Sequence, residues 1–501
     1  MTHSESTLGR SPLLRVATPP GRGETTLATA REAGDVPVVA TGPTGVDAWE
    51  PLVAATRAGQ TALFPAPDAT TVERVAGTLA DQLPTDGAAA VVDHDPETST
   101  LPVPDSGPLA VGRRALLGPC GWIDPLAPAD VPFVSTADLR LSAVDHLRGR
   151  GRGDAAADEP VGETWETIRD TAGDPVVVVN ANESSERQQA DRTLLAAAPL
   201  AVLDGAAAVA RGIDATDVVV HLNESDRALG RRVRAAADRA DALPVEVQVV
   251  AGPDEYRAGE PTAALEALEG ADRVEPRLQP PGPATHGLYG RPTALHTPRT
   301  FAQVRRGLHD PSAFDPETAD PGTRVLTVTG DVAAPATVEL AADGSLESAR
   351  AAVDLEGPFK LACVGGVLGG ITRDLDVAPT AQSRRAAGLG TDAVLELLNE
   401  RRCVVAAVGE RARFAAEANS GRCVPGREGT VQLVELLREV YDGRLPTEEI
   451  HELGRVMARS SNCQVGAHAP RPVRTALAEF EPEFRAHADG RCTAGACGDS
   501  A

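Results

Sequence analysis

Residues 176–179 are four valines in a row, the pattern of a strand buried on both faces of a sheet. The run stops at Asn180, Ala181, Asn182, Glu183 and Ser184, a polar cluster at a strand's carboxyl end, where open α/β sheets place their ligands. Residues 218–221 and 245–250 predict further strands, with helices at 207–212 and 226–240. A smaller α/β unit is predicted upstream: a strand at 36–40, a glycine turn at 41–46, a helix at 49–58, a strand at 61–64 and a helix at 70–82. Pro37 confines the first of these strands to a sheet edge or to its own start.

The texture changes twice more. Residues 323–405 read as short β segments around the turn-rich stretch from Val364 to Gly370. Beyond Arg411 the apolar period becomes helical. Leu433, Leu436, Leu437 and Val440 follow the candidate cap Thr430 and end at Gly443. Two more helices start after Thr447 and after Pro472, the last turning Leu477, Phe480 and Phe484 inward, so a small bundle is predicted. The expected division is a loose, Thr/Gly/Pro-rich arm at 1–34, a first α/β unit at 35–105, an α/β core at 106–322, a β-rich insert at 323–405, the bundle at 406–489 and a cysteine-containing tail at 490–501.

Charge narrows the choice of partners. The 501 residues carry a formal net charge of −24, and Lys360 is the only lysine among 48 basic residues. Such a surface repels nucleic acid and suits high salt, which screens its self-repulsion; a GC-rich genome favouring Arg over Lys explains the same bias. No apolar run approaches the ~18 residues of a membrane span, and the N-terminus lacks a basic-then-apolar leader pattern, so a cytoplasmic protein is expected.

Seven cysteines in so long a chain are too scattered for a disulfide framework. Cys363 and Cys403 lie in apolar runs and read as small buried hydrophobes. The turn from Ser420 to Thr430 has the glycine-rich shape of an iron–sulfur loop but holds one thiol, Cys423. With Cys463 it makes two buried thiols, or a metal site completed by His451 or His468. His487, Cys492 and Cys497 are a further candidate set, for Zn²⁺, set against a disordered end.

Several stretches together resemble the NADH-binding flavoprotein subunit of NADH:quinone oxidoreductase (the complex I NuoF type) and its relatives in soluble hydrogenases and formate dehydrogenases. Leu147, Arg148, Gly149, Arg150, Gly151 and Arg152, with Gly162 and Trp165, resemble that family's flavin phosphate loop, although acidic and small residues from Asp154 to Glu159 replace its glycines and Thr164 its lysine. Asn180, Ala181, Asn182, Glu183 and Ser184 match its Asn-Ala-Asp-Glu-Ser segment. Tyr256, Gly259 and Glu260 resemble a second flavin-side stretch, with Pro261 in place of its second carboxylate. The run from Pro276 to Thr293 resembles the nucleotide region, with Gln279 and Gly282 replacing a lysine and a phenylalanine, and His296 and Thr297 replacing paired asparagines. Gly42 to Pro51 resembles a thioredoxin-like iron–sulfur segment, with Pro43 and Asp47 at both cysteine positions. In the Ser420 loop, Ser420 and Gly426 replace two of the family's cysteines, Cys423 keeps one, and Cys463 falls at the last ligand.

The resemblance implies an α/β flavin-binding core, a thioredoxin-like unit at 35–105, an SLBB-like β-grasp insert at 323–405 and a helical bundle of the iron–sulfur-binding type. It implies FMN held by Arg148, Gly149, Arg150, Gly151, Asn180, Asn182, Glu183, Ser184, Tyr256, Gly259 and Glu260, with Glu183 and Glu260 at the catalytic edge. Hydride would pass from NADH to FMN and electrons on to other redox-complex subunits. A [4Fe-4S] cluster is implied with two of its four ligands, Cys423 and Cys463, and a metal at Cys492 and Cys497. The alternative is a non-catalytic or regulatory scaffold that keeps the fold.

Overall fold

The computed structural model describes residues 6–134, 139–183, 185, 187–314 and 317–497. Three sheets organise it. The first contains β1 (Leu13–Ala17), β2 (Val38–Thr41), β3 (Leu52–Arg57), β4 (Gln60–Pro65) and β5 (Ala90–Asp93), in spatial order β2-β1-β3-β4-β5. β1 and β2 are parallel and joined by α1 (Glu24–Glu32); the other pairs are antiparallel. α2 (Ala69–Leu79) packs against α1, and Val72, Val75 and Leu79 share a core with Leu14, Val53 and Phe64.

Two expectations are corrected here. The predicted arm contains an interior, fully buried strand, because its five-residue apolar run is interrupted only by Arg15, whose guanidinium stacks 3.7 Å from the Trp122 ring. Arg15 also donates to Trp122 O (3.0 Å) and Thr56 Oγ1 (3.1 Å), so a buried cation is fully engaged. The helix expected at 49–58 is instead a single turn followed by β3. Its alanines favour a helix locally, but pairing with β1 on one side and β4 on the other decides the outcome.

The second sheet contains β6 (Val176–Asn180), β7 (Asp217–Asn223), β8 (Glu246–Gly252) and β9 (Thr293–His296), all parallel in the order β8-β7-β6-β9. Its helices are α3 (Val161–Asp170), α4 (Ala190–Ala197), α5 (Pro199–Gly212), α6 (Arg227–Ala237), α7 (Pro261–Leu268), α8 (Pro283–His286) and α9 (Pro298–His309). The valine run works as expected. Val177 and Val179 join the core with Leu203 and Phe301, while Val176 and Val178 face the opposite side with Leu265 and Leu288.

The third sheet contains β10 (Thr323–Gly330), β11 (Ala336–Ala341), β12 (Phe359–Val364), β13 (Gly370–Thr372) and β14 (Val394–Asn399), in the order β11-β10-β14-β12-β13. β10 and β14 are parallel and the other pairs antiparallel, with α10 (Ala381–Ala386) before β14. The bundle follows as α11 (Val404–Ala418), α12 (Val424–Tyr441), α13 (Thr447–Ser460), the one-turn α14 (Gln464–His468) and α15 (Pro470–Ala488). Thr430 is not the cap of α12. Cys423 occupies that position, and Thr430 lies inside the helix, its hydroxyl donating to Gly426 O at 2.6 Å.

Two joints tie the first sheet and its following segment to the rest. A Cβ on Gly42 would fall 2.2 Å from Ala197 Cα, so only glycine lets this turn rest on α4. Buried Glu339, on β11, accepts from Leu116 N (2.8 Å), Leu117 N (3.0 Å) and Thr323 Oγ1 (2.6 Å).

Candidate functional site

The carboxyl end of β6 gathers most of the predicted flavin residues, and their side chains serve one another and the backbone. Asn180 Nδ2 donates to Gly153 O (2.9 Å) and Gly259 O (3.1 Å), and its Oδ1 faces His221 Nδ1 at 3.2 Å. Asn182 donates to Pro253 O (3.1 Å) and accepts from Asn223 Nδ2 (3.2 Å). Glu183 covers the first turn of α4, accepting from Asp191 N (2.8 Å) and Arg192 N (2.9 Å). Burial and the neighbouring Asp191 push its carboxyl up to about 8. Glu260 caps α7 through Thr262 N (3.1 Å) and Ala263 N (2.9 Å), and burial raises its pKa as well. Ser184 lies outside the described residues.

The loop at 147–160 departs from its expected use. Arg150 turns away to Asp320 (2.5 Å) and Pro321 O (2.5 Å); Arg148 reaches Ala319 O (2.5 Å) and Asp158 O (2.7 Å). Gly149 exchanges backbone hydrogen bonds with Asp158 and Glu159, and Gly151 lies beneath the Arg299 guanidinium. Arg150 is thereby committed within the protein, while Arg148 also borders a separate cavity of about 460 Å³.

Asp154 fills the loop instead. Its carboxylate accepts from Ala156 N (2.9 Å), Thr300 Oγ1 (2.6 Å), Thr297 N (3.3 Å) and Arg150 N (3.4 Å), with His296 Nδ1 at 2.9 Å. Trp165 Nε1 can only donate, and it donates to His296 Nε2 (3.0 Å), so the imidazole proton sits on Nδ1 and points at Asp154. Burial opposes ionisation of Asp154; His296 and the hydrogen bonds from His296 and Thr300 outweigh it and hold the carboxyl below its usual range.

Two cavities open nearby. One, about 230 Å³, is bordered by Asp154, Glu159, Glu163, Glu260, Gln279 and Gln464; among the described residues no arginine lines it. The other, about 220 Å³, is bordered by Arg152, Tyr256, Arg385, Asp392, His468 and Arg471. Arg152 stacks 3.8 Å from the Tyr256 ring, whose other contact is the edge of Phe414. Burial and the surrounding Arg471, Arg152 and Arg385 hold His468 neutral, with its pKa lowered to about 3. Gln464 borders both cavities; its Nε2 donates to Arg152 O (3.2 Å), while Gln464 Oε1 and Arg152 Nε are buried without partners. These orphaned groups and the guanidiniums fit the polar edge and phosphate of a flavin mononucleotide on the Arg152 side. The loop amides fit it only if Asp154 leaves them. Arg152, Tyr256 and His468 were each singled out in the sequence; Arg385 and Arg471 carry no local sequence signal and are brought to the site only by the third sheet and the bundle.

The cysteine positions separate into two groups. Cys423 and Cys463 are both buried, and each sulfur accepts from a helix amide, Gly426 N and Gly466 N, at 3.4 Å. A Cβ on Gly426 would stand 3.0 Å from Cys423 Sγ and 3.6 Å from Cys463 Sγ, and one on Gly466 would stand 2.9 Å from Gly426 Cα. A cubane needs a donor on each iron and room between them; two thiols over a closed turn do not fit it. In the second group Cys403 is buried in the bundle core as expected, but its sulfur also lies 3.0 Å from His487 Nε2, beside Cys492 and Cys497.

Fold and site together define a parallel α/β sheet of nucleotide-binding type, coupled to a second sheet and a cysteine-bearing helical bundle. Residues 144–306 match the family described as the Nuo51 FMN-binding domain, and residues 406–487 match the NADH-ubiquinone oxidoreductase-F iron-sulfur binding region. The chain is 32% identical over 374 residues to the F-type subunit of NADH-quinone oxidoreductase from Streptomyces coelicolor, covering 69% of this chain and 81% of that protein. It is 28% identical to the NAD-reducing hydrogenase HoxS subunit alpha of Cupriavidus necator, over 68% of this chain and 58% of the relative. A chain of an NAD⁺-reducing [NiFe]-hydrogenase solved in the H₂-reduced state superimposes with a TM-score of 0.66 at 23% identity, covering 95% of this chain and 84% of that one. The chain belongs to the family of F-type subunits of NADH-quinone oxidoreductase.

Proposed function

We propose that this chain is the flavoprotein subunit of a multi-subunit redox assembly, an NADH:quinone oxidoreductase-like protein that takes hydride from NADH through FMN and hands electrons to a partner subunit. The observation that carries the reading is the Arg152 cavity, where Tyr256, Gln464 and three guanidiniums meet close to Asn180, Gly259 and Glu260. Bound FMN supplies a two-electron acceptor that can release electrons singly. The residues' part is to hold it: Arg152, Arg385 and Arg471 offer charge to the phosphate, Gln464 Oε1 accepts from the ring edge, and burial raises the pKa of Glu183, to about 8, and of Glu260, which weakens their repulsion of the reduced ring. Cys423 and Cys463 offer two sulfurs, so no onward step is assigned to a cluster of this chain.

The order β2-β1-β3-β4-β5 supports a thioredoxin-like first unit, and β11-β10-β14-β12-β13 with its parallel β10/β14 pair supports an SLBB-like β-grasp third sheet. Among the described residues no single helix is long and apolar enough to cross a membrane, which accords with a peripheral place in such an assembly. The acidic, lysine-poor surface accords with life in high salt.

One observation favours a second reading, a non-catalytic scaffold: Asp154 already occupies the amides of the phosphate loop. Visible absorbance separates the two. Yellow protein whose flavin bands bleach on NADH addition, more slowly in Glu183→Gln, is the expected result. Colourless protein whose Tm added FMN does not raise establishes the scaffold.

A further inference from the structure

Four potential ligands from two distant parts of the chain converge at one end of the helical bundle. Cys403 stands before the first turn of α11, His487 in the last turn of α15, and Cys492 and Cys497 on the tail beyond. One ligand atom from each lies within 4.8 Å of all the others. A tetrahedral Zn²⁺ with sulfurs at about 2.3 Å and nitrogen at about 2.0 Å spaces its ligands roughly 3.5–3.8 Å apart, so seating an ion asks for shifts of about 1 Å or less, inward for the widest pairs and slightly apart for Cys403 and His487. We propose that Cys403, His487, Cys492 and Cys497 bind a structural zinc ion that clamps the C-terminal tail onto the bundle.

The surroundings suit that role. His487 presents Nε2 to Cys403 while its ring packs against Tyr441, with centroids 5.2 Å apart. The tail is already seated: Thr493 Oγ1 donates to Glu483, which also holds Lys360 of β12 at 2.9 Å. Four N/S donors, with no fifth ligand among the described residues, match a closed, structural site, in which the ion forms no redox couple and takes part in no electron transfer. Three thiols lose their protons on binding and zinc displaces them, so net charge is conserved between ion, thiolates and released protons. The set is separate from Cys423 and Cys463, which cap α12 and α14.

Metal analysis of the full chain, purified under reducing conditions from medium containing both zinc and iron, tests the assignment. One zinc per chain is expected, lost in Cys492→Ser/Cys497→Ser and in Cys403→Ser, and retained in Cys423→Ser/Cys463→Ser. Should Cys403→Ser fail to fold, Co²⁺ exchanged into the unaltered protein reads the same geometry: thiolate-to-cobalt charge transfer with intense tetrahedral d–d bands is expected. Absence of stoichiometric zinc, zinc that survives Cys492→Ser/Cys497→Ser, iron in its place, or a Cys492–Cys497 disulfide in the reduced preparation would each overturn it.

Discussion

At the scale of single residues, the most consequential one is Asp154. Its carboxylate collects donors from the loop, from Thr297 and Thr300 and from His296, so replacing it leaves a buried imidazole proton and a buried hydroxyl without an acceptor. Asp154→Ala is expected to lower the unfolding free energy by about 3 kcal/mol, read from the urea midpoint in high salt. The sequence exposed part of this: carboxylates where glycines are usual promised a loop unfriendly to phosphate. That the carboxylate has its own partners was illegible, because His296 and Thr300 lie more than 140 residues away in the chain. Cys403 was hidden for the same reason. An apolar neighbourhood reads as burial, and burial is compatible with a metal ligand as readily as with a packed thiol.

At the scale of elements, β6 was legible because nothing but a two-faced strand accommodates four consecutive valines, and its faces divide as that reasoning requires. β1 was not, since Thr, Gly and Pro on either side and Arg15 within mask a short apolar run. β3 was misread as a helix, its alanines favouring one locally until tertiary pairing with β1 and β4 overrode them. β1 is an interior strand of the first sheet, hydrogen-bonded to β2 and β3, so deleting residues 1–18 should strip β2 of its only partner, expose the edge of β3 and remove the order of that whole sheet. Limited proteolysis should then cut within residues 35–93, a region expected to resist cleavage in the full chain. In the bundle, helical periodicity located α12, α13 and α15, while α11 and the start of α12 at Cys423 were set by contacts the sequence does not display.

At the scale of the whole molecule, two opposed effects govern acid stability. Lowering the pH relieves repulsion within a chain of net charge −24. Against it, burial lowers His221 to about 4, and burial with Arg471, Arg152 and Arg385 lowers His468 to about 3. Both rings stay neutral in the fold while the unfolded chain takes up protons below its ordinary histidine pKa of about 6.5, so their contribution is lost as pH falls from there toward about 4. Measured by thermal unfolding in multimolar salt, His468→Gln should lose less Tm than the unaltered protein between pH 6.5 and 4.5. The two joints at Gly42 and Glu339 bear on how such a molecule changes over evolutionary time. A turn seated on a neighbouring helix with no space for even a methyl group cannot work as a swinging carrier, and its removal would strip cover from the helix beneath. Substitutions elsewhere on that unit can therefore accumulate one at a time, while the unit itself stays indispensable as masonry.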